Sequence, residues 1–270
     1  MNKQFDVLII GDSPEGAYAL KAIASASRKI KIAYISREFK SATTRDFLNV
    51  EYIKEEVMWL DYKVKLFGCY LKNGDRLYST HVIIASGLRY TPYCVNGKPV
   101  PNVYNNHYDI SKFAKSLPAV VVGRDTQSVK LAIAVAKKYR QVYLCIDSLT
   151  VDCSKALQDK LNCTKNIVML PNATISKVHS SKNELISVEF SNYSQVTCKA
   201  IFIKTACTPE TEFIPENIIQ KNEEGYCITT KAAQSVLVPN FFVVGSAALK
   251  STKKQRDTMI TEILQEFMEK

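Results

Sequence analysis

FDVLIIGDSPEG (Phe5–Gly16) and AVVVGRDTQS (Ala119–Ser128) are the two stretches whose reading decides the fold of this 270-residue chain. Each is an apolar run of strand length that stops at a glycine and passes into an alanine-rich stretch of helical period. A βαβ unit built to hold a dinucleotide pyrophosphate at a helix N-terminus opens in this way. Both lack the central glycine of G-x-G-x-x-G: Ser13 stands there in the first stretch and Asp125 in the second.

Outward from the first stretch, the pattern predicts strand Phe5–Ile10, helix Glu15–Ser27 and strand Lys31–Ile35. Residues 40–47 are polar and short. Val50–Leu60, Lys63–Leu71 and Arg76–Tyr78 then read as an antiparallel meander turning at Asn73-Gly74, which feeds the buried strand HVIIASG (His81–Gly87). Prolines and asparagines crowd residues 88–111, as suits a crossover between domains.

The second stretch repeats the design, with strand Ala119–Val122, helix Thr126–Tyr139, strand Gln141–Ile146 and a helix near Ser154–Leu161. A meander follows through Ile167–Leu170, Ala173–His179, Leu185–Phe190 and Val196–Cys198, ending in AIFIKTA (Ala200–Ala206). One order of elements thus occurs twice, which is more specific than a single glycine motif. FFVVG (Phe241–Gly245) comes after the second unit is complete and is expected to return to the first sheet. A helix runs from about Lys254 to the end. The prediction is an α/β chain of two Rossmann-like three-layer domains, each with a small antiparallel meander. The first domain is expected at residues 1–108 and 236–270, the second at 109–235.

Hydrophobic residues make up 46% of the chain, and the longest apolar runs are only strand-length, so no membrane-spanning helix is expected. The chain enters a strand by Phe5 with no charged-then-apolar leader, which points to the cytoplasm. The eight cysteines are scattered, the closest two being eight positions apart, so neither a local redox dithiol nor a metal site is written here. Net charge is +10, from 36 basic and 26 acidic residues, but only KSTKKQR (Lys250–Arg256) forms a cluster. Solvated faces explain such a scattered surplus better than a binding groove does. Neither nucleic acid nor a membrane is therefore expected as a partner.

In a glycine-rich turn the first glycine makes the turn, the second admits the phosphate and the third lets helix and strand touch. Gly11 and Gly16 supply the outer roles in the first unit, and Ser13 adds a hydroxyl able to donate to phosphate. In the second unit Gly123, Arg124 and Ser128 surround Asp125, whose carboxylate would face the pyrophosphate. Two unit charges about 4 Å apart repel by ~4 kcal/mol at a surface-like dielectric. Asp147 follows the strand QVYLCI where an acid would bond an adenosine ribose, so a nicotinamide nucleotide, if bound, is expected to be NADH rather than NADPH. No catalytic side chain stands out, and His81, His107 and His179 are isolated.

At this point the chain resembles the low-molecular-weight thioredoxin reductase group of FAD/NAD(P)H flavoproteins. FDVLIIGDSPEG is similar to its FAD fingerprint, HVIIASGLRY to its Ala-Thr-Gly strand with Ser86 for threonine, and AVVVGRDTQS to its NAD(P)H fingerprint. IFIKTACTPETEF resembles the segment closing the nucleotide domain. GYCITTKAAQSVLVPNFFVVGSAAL resembles the stretch holding the Gly-Asp FAD motif, and Lys254-Gln255 the Arg/Gln-led final helix. The resemblance implies FAD held by Gly11, Ser13, Gly16, Glu38, Gly87, Gly245, Ser246 and Gln255. It implies NAD(P)H held by Gly123, Arg124, Ser128 and Asp147, and a homodimer.

Several departures accompany it. Ser246 replaces the motif aspartate, removing a charge-assisted hydrogen bond of roughly 1.5–3 kcal/mol. The stretch after Lys40 is shorter than in the family, and nine glycines are few for such cofactor loops. The family's C-x-x-C is missing, so thioredoxin reductase activity is not expected, and the chain looks closer to the ferredoxin–NADP reductase-like members. The expected function is an FAD-dependent NAD(P)H oxidoreductase passing electrons from flavin to a non-dithiol acceptor, either a redox protein or a small molecule. The alternative is a degenerate, non-catalytic member acting as a nucleotide-binding or protein-interaction module. A basic surface-binding protein using Lys250–Arg256 ranks third.

Overall fold

The computed structural model describes residues 2–39, 47–105, 117–182, 184–192 and 194–268. Most of the polar stretch 40–47, the expected domain boundary at 108/109 and His107 lie outside these residues. The chain divides into two compact units, one of residues 1–89 with 207–270 and the other of residues 90–206.

In the first unit β1 (Asn2–Ile10) leads into α1 (Pro14–Ala26) and β2 (Ile32–Ser36), followed by β3 (Val50–Lys54), β4 (Val57–Lys63), β5 (Leu66–Leu71) and β6 (Arg76–Ile84). Strand order is β3-β2-β1-β6-β5-β4, with β1, β2 and β3 parallel to one another and β4, β5 and β6 antiparallel. Two expectations change here. Val50–Leu60 is not one strand: its first half, β3, extends the parallel sheet beside β2 and only its second half enters the meander. Arg76–Tyr78 and His81–Ile84 are a single strand, because the alternation of buried and exposed residues runs through Ser79 and Thr80 without a break.

The chain leaves this unit through β7 (Leu88–Tyr90). The second unit holds the hairpin β8 (Cys94–Val95) and β9 (Lys98–Pro99), then β10 (Val103–Tyr104), β11 (Ala119–Val122), α2 (Thr126–Ala136), β12 (Val142–Cys145), α3 (Lys155–Asn162) and β13 (Ile167–Leu170). After these come β14 (Ile175–Ser181), β15 (Glu184–Phe190), β16 (Gln195–Thr197) and β17 (Ala200–Ile203). Its parallel sheet has the order β10-β17-β11-β12-β13, and β14-β15-β16 form a separate antiparallel sheet. Ile167–Leu170 therefore belongs to the parallel sheet, paired with β12, rather than to the meander.

With β18 (Cys207–Pro209) the chain returns to the first unit, and β19 (Phe241–Val243) adds to β6 in parallel, as expected of FFVVG. α4 (Lys253–Met268) closes the unit. Residues 207–235 belong here and not to the second unit, because Ile214, Ile218, Ile219 and Cys227 are buried in the same apolar cluster as Leu8, Leu60, Phe67 and Phe241. On the other face of the sheet α1 and α4 bury Leu20, Ile23, Met259 and Ile263 against Val7, Ile9 and Ile83. Side chains of this size each contribute about 1.5–3 kcal/mol when fully buried.

β1 in the first unit and β11 in the second each end in a glycine turn at the carboxyl edge of a parallel sheet, the position at which open α/β sheets bind ligands.

Candidate functional site

In the first unit Gly11 has φ +105°, and a Cβ there would overlap the Ala85 carbonyl at the end of β6. A Cβ at Gly16 would lie 2.6 Å from the Gly11 carbonyl oxygen and 2.9 Å from the Ala85 Cβ. Both glycines thus serve the close approach of turn, helix and strand that the sequence pattern demands. Ser13 is the N-cap of α1, its Oγ accepting the Gly16 N–H at 3.2 Å. Its hydroxyl proton remains available as a donor. Pro14, at the first helical position, brings no N–H, which leaves this helix end with fewer donors than a glycine turn offers.

Beside this turn lies a cleft of about 340 Å³ lined by Glu15, Gly245, Ser246, Ala248, Ser251, Thr252, Lys253 and Arg256. The N-termini of α1 and α4 both contribute to it, and each carries the partial positive charge of its helix. Lys253 and Arg256 add full charges. Arg256 stacks 3.7 Å over the Tyr18 ring and bonds Asp257 at 3.2 Å. Opposing these, the Glu15 carboxylate lies over Gly245, 3.2 Å from where a Cβ would be. The Gly245 N–H donates to Ser251 Oγ at 3.0 Å.

Of the remaining residues expected at this site, Ser246 lines the cleft and the others lie elsewhere. Ser246 is exposed and lines the cleft. Gln255 does not line it: with Thr252 it forms a reciprocal cap on α4, the Gln255 N–H donating to Thr252 Oγ1 at 3.2 Å while the Thr252 N–H donates to Gln255 Oε1 at 2.8 Å. The T-x-x-Q spacing of a capping box is the signal that marks this arrangement. Gly87 has φ +75° and open space around it, and its carbonyl accepts the Glu210 N–H at 3.0 Å. Glu38 is exposed just past β2. Its neighbour Arg37 pairs with Glu210, which also takes Arg89 at 3.3 Å. Glu15, Lys253 and Arg256 were missed because no fingerprint position marks them; only their place in the first turns of two helices does.

The second turn is built differently. Asp125 is the N-cap of α2, and its carboxylate accepts the Ser128 N–H at 2.7 Å. That bond, helped by the Ser128 hydroxyl, holds the Asp125 carboxyl below the usual carboxylate range. At Gly123, with φ +122°, a Cβ would overlap the buried Ser128 hydroxyl, so Ser128 fills the space that the third glycine of the motif leaves open. Arg124 Nε lies 3.8 Å from Asp147. These residues line a cleft of about 360 Å³ together with Tyr93, Cys145 and Lys204. Gly123, Arg124, Ser128 and Asp147 are thus brought together as expected, around a carboxylate.

A dinucleotide presents its pyrophosphate to such a turn. The first unit fits one, through two helix N-termini, Lys253, Arg256 and several hydroxyls, with Glu15 as the opposing charge that lines the cleft. The second fits one less well, because the Asp125 carboxylate already caps α2, with Arg124 and Lys204 as the opposing cations of that cleft. Among the described residues no cluster could hold a metal ion, and no helix is long and apolar enough to cross a membrane.

Paired βαβ units, each with a meander and a cleft at its glycine turn, define an α/β protein of two Rossmann-like units. The chain belongs to the pyridine nucleotide-disulphide oxidoreductase family, whose model matches residues 16–245. It is 25% identical over 275 residues to an NADH dehydrogenase of Bacillus subtilis, covering 89% of this chain and 53% of that one. It is 24% identical to a component of the alkyl hydroperoxide reductase of Escherichia coli, covering 84% and 51% respectively. The chain spans about half the length of these curated relatives. Thioredoxin reductase from Lactococcus lactis shares the fold with a TM-score of 0.68 at 16% identity, covering 97% of this chain and 99% of that one. The enzyme from T. acidophilum gives 0.68 at 15% identity, with 98% and 99% covered.

Proposed function

We propose that this chain is an FAD-dependent oxidoreductase of the thioredoxin reductase fold that passes electrons to an acceptor other than a dithiol. The observation that carries the reading is the first unit's cleft, where two helix N-termini, Lys253 and Arg256 converge beside the Gly11–Gly16 turn. In this reading Ser13 and Ser246 offer hydroxyls to the FAD pyrophosphate, and Gly11, Gly16 and Gly245 keep the backbone close. Gln255 acts indirectly by fixing the first turn of α4. FAD, when bound, supplies the hydride and electron chemistry, so the absence of an evident catalytic side chain is consistent with activity. A redox protein or a small molecule is the acceptor, since no C-x-x-C exists to act as one. A homodimer in a reducing compartment such as the cytoplasm belongs to the same reading, and the eight free thiols support the compartment.

Asp125 favours a second reading for the nicotinamide half. The second unit either takes NADH weakly or has become a non-catalytic module. The absorbance spectrum of the purified protein tests the first proposal. A flavin spectrum, present as isolated or gained on adding FAD, supports it, and a colourless protein that ignores FAD sinks it. Anaerobic NADH then separates the two readings: bleaching marks an NADH oxidoreductase, and a flavin that stays oxidised marks the module.

A further inference from the structure

The antiparallel part of the first sheet has one face in the core and one in solvent. Inward point Leu60, Phe67, Cys69 and Leu77, all buried. On the outer face, the register sets Trp59 opposite Tyr70 and Tyr70 opposite Arg76, while one row further Gly68 stands opposite Tyr78. Trp59 is 48% exposed, Tyr70 and Tyr78 are half-buried, and the Arg76 guanidinium sits 5.4 Å over the Tyr70 ring. Directly opposed residues lie about 5 Å apart and diagonal ones about 7–8 Å, so the three rings share one face of the sheet as neighbours.

The charges on this face are arranged as well. Asp61 lies across Gly68, receives the Tyr70 hydroxyl at 3.0 Å and has Lys63 at 3.6 Å. Between Glu56 and Thr80 the chain carries four cations, Lys63, Lys65, Lys72 and Arg76, against three acids, Glu56, Asp61 and Asp75, with Lys72 bonded to Glu56 at 2.9 Å. A solvent-facing sheet surface normally reads polar. Here it presents aromatic rings among net positive charge, the combination that binds unpaired bases by stacking and their phosphates by charge.

We propose that this face binds single-stranded nucleic acid. Bases stack on Trp59, Tyr70 and Tyr78, and phosphates are met by Arg76 and by Lys63 and Lys65 at the β4–β5 turn. A flat sheet reaches base faces only when the strand is unpaired, so duplex is disfavoured. A second copy docked across a two-fold axis would set the same cations against each other. The scatter of lysines along the chain hides this platform, because it arises from strand pairing. It uses no residue of either nucleotide cleft.

Trp59 is the sole tryptophan, so its emission reports this face directly. Titrating the full chain with a fifteen-residue oligothymidylate at low salt is expected to quench that emission saturably, with a log–log salt slope of about −2 for three phosphate contacts. Tyr70→Ala or Tyr78→Ala is expected to weaken binding of a dye-labelled oligomer roughly five- to a hundred-fold. Trp59→Ala and Arg76→Gln change exposed positions and keep the test open if a tyrosine variant fails to fold. The first should weaken binding similarly, and the second should flatten the slope by about 0.7. Absent quenching, equal affinity for duplex, or unchanged affinity in Trp59→Ala would overturn the proposal. So would a protein dimer, formed without oligomer and abolished by Trp59→Ala.

Discussion

The Asp125 carboxylate accepts the backbone N–H of Ser128 at 2.7 Å, so the N-terminus of α2 holds a negative charge from its own chain. At the matching point of α1 the acceptor is the neutral Ser13 hydroxyl, 3.2 Å from the Gly16 nitrogen. Charge and cap can be separated by substitution. Asn caps as well as Asp, so Asp125→Asn is expected to leave stability within a few tenths of a kcal/mol while raising NADH affinity at least tenfold by calorimetry. Asp125→Ala loses the cap and should cost about 1 kcal/mol. If NADH binding is unchanged in Asp125→Asn, the carboxylate is not the obstacle.

The same hydrogen bond fixes a pH dependence. The Asp125 carboxyl is lowered by accepting the Ser128 N–H, so its contribution to stability is complete above the unfolded value near ~3.9 and is lost as pH falls through the lower folded value. Urea midpoints of the wild type and Asp125→Asn are therefore expected to agree at pH 5 and to separate, the wild type falling below the variant, as pH drops toward 3 and lower. Midpoints that stay together over that range would refute the assignment.

Glu15 is the acid that lines the first cleft. Glu15→Gln keeps the side chain over Gly245 while removing its charge, and FAD affinity should rise several-fold in a flavin-fluorescence titration. Thr252→Ala breaks the α4 cap and should lower stability by about 1 kcal/mol. A loss of flavin affinity in Thr252→Ala larger than this stability change would link the cap to the site.

Gly11→Ala must move the β6 backbone as well as accept a φ of +105°, and a cost above ~2 kcal/mol in thermal unfolding is expected even without cofactor. Wild-type stability in that variant would show that the turn is looser than described.

The thiols divide by burial. Desolvation pushes Cys69, Cys145, Cys198 and Cys227 up to about 12, whereas Cys94 and Cys163 are exposed. Mild alkylation at pH 8 followed by peptide mapping should label the exposed pair first and leave the buried four intact until the chain unfolds.

The parallel sheets were legible because buried runs such as VLII and AVVV stop at glycines whose conformation the turns require. What misled was adjacency. Val50–Leu60 is uniformly half-apolar, and nothing local says that its first half pairs with β2 and its second with β5. Likewise 210–235 forms no named strand, so its membership of the first unit depends on long-range burial of Ile214, Ile218 and Ile219. At the clefts, fingerprint positions located the turns, but a fingerprint describes backbone and is silent on side chains arriving from elsewhere. Glu15 reaching Gly245 and Gln255 turning to Thr252 are contacts of that kind.

Strand β6 pairs with β5 through its first half, with β19 through its second and with β1 along nearly all of its length. Its counterpart in the second unit, β17, belongs to the parallel sheet alone, and the meander β14-β15-β16 is a sheet apart. The first unit should accordingly open as one cooperative block, its amide protons exchanging together. In the second, β14–β16 can release protons earlier than β11, β12 and β17, so a single architecture repeated twice would melt in one step on one side and in two on the other.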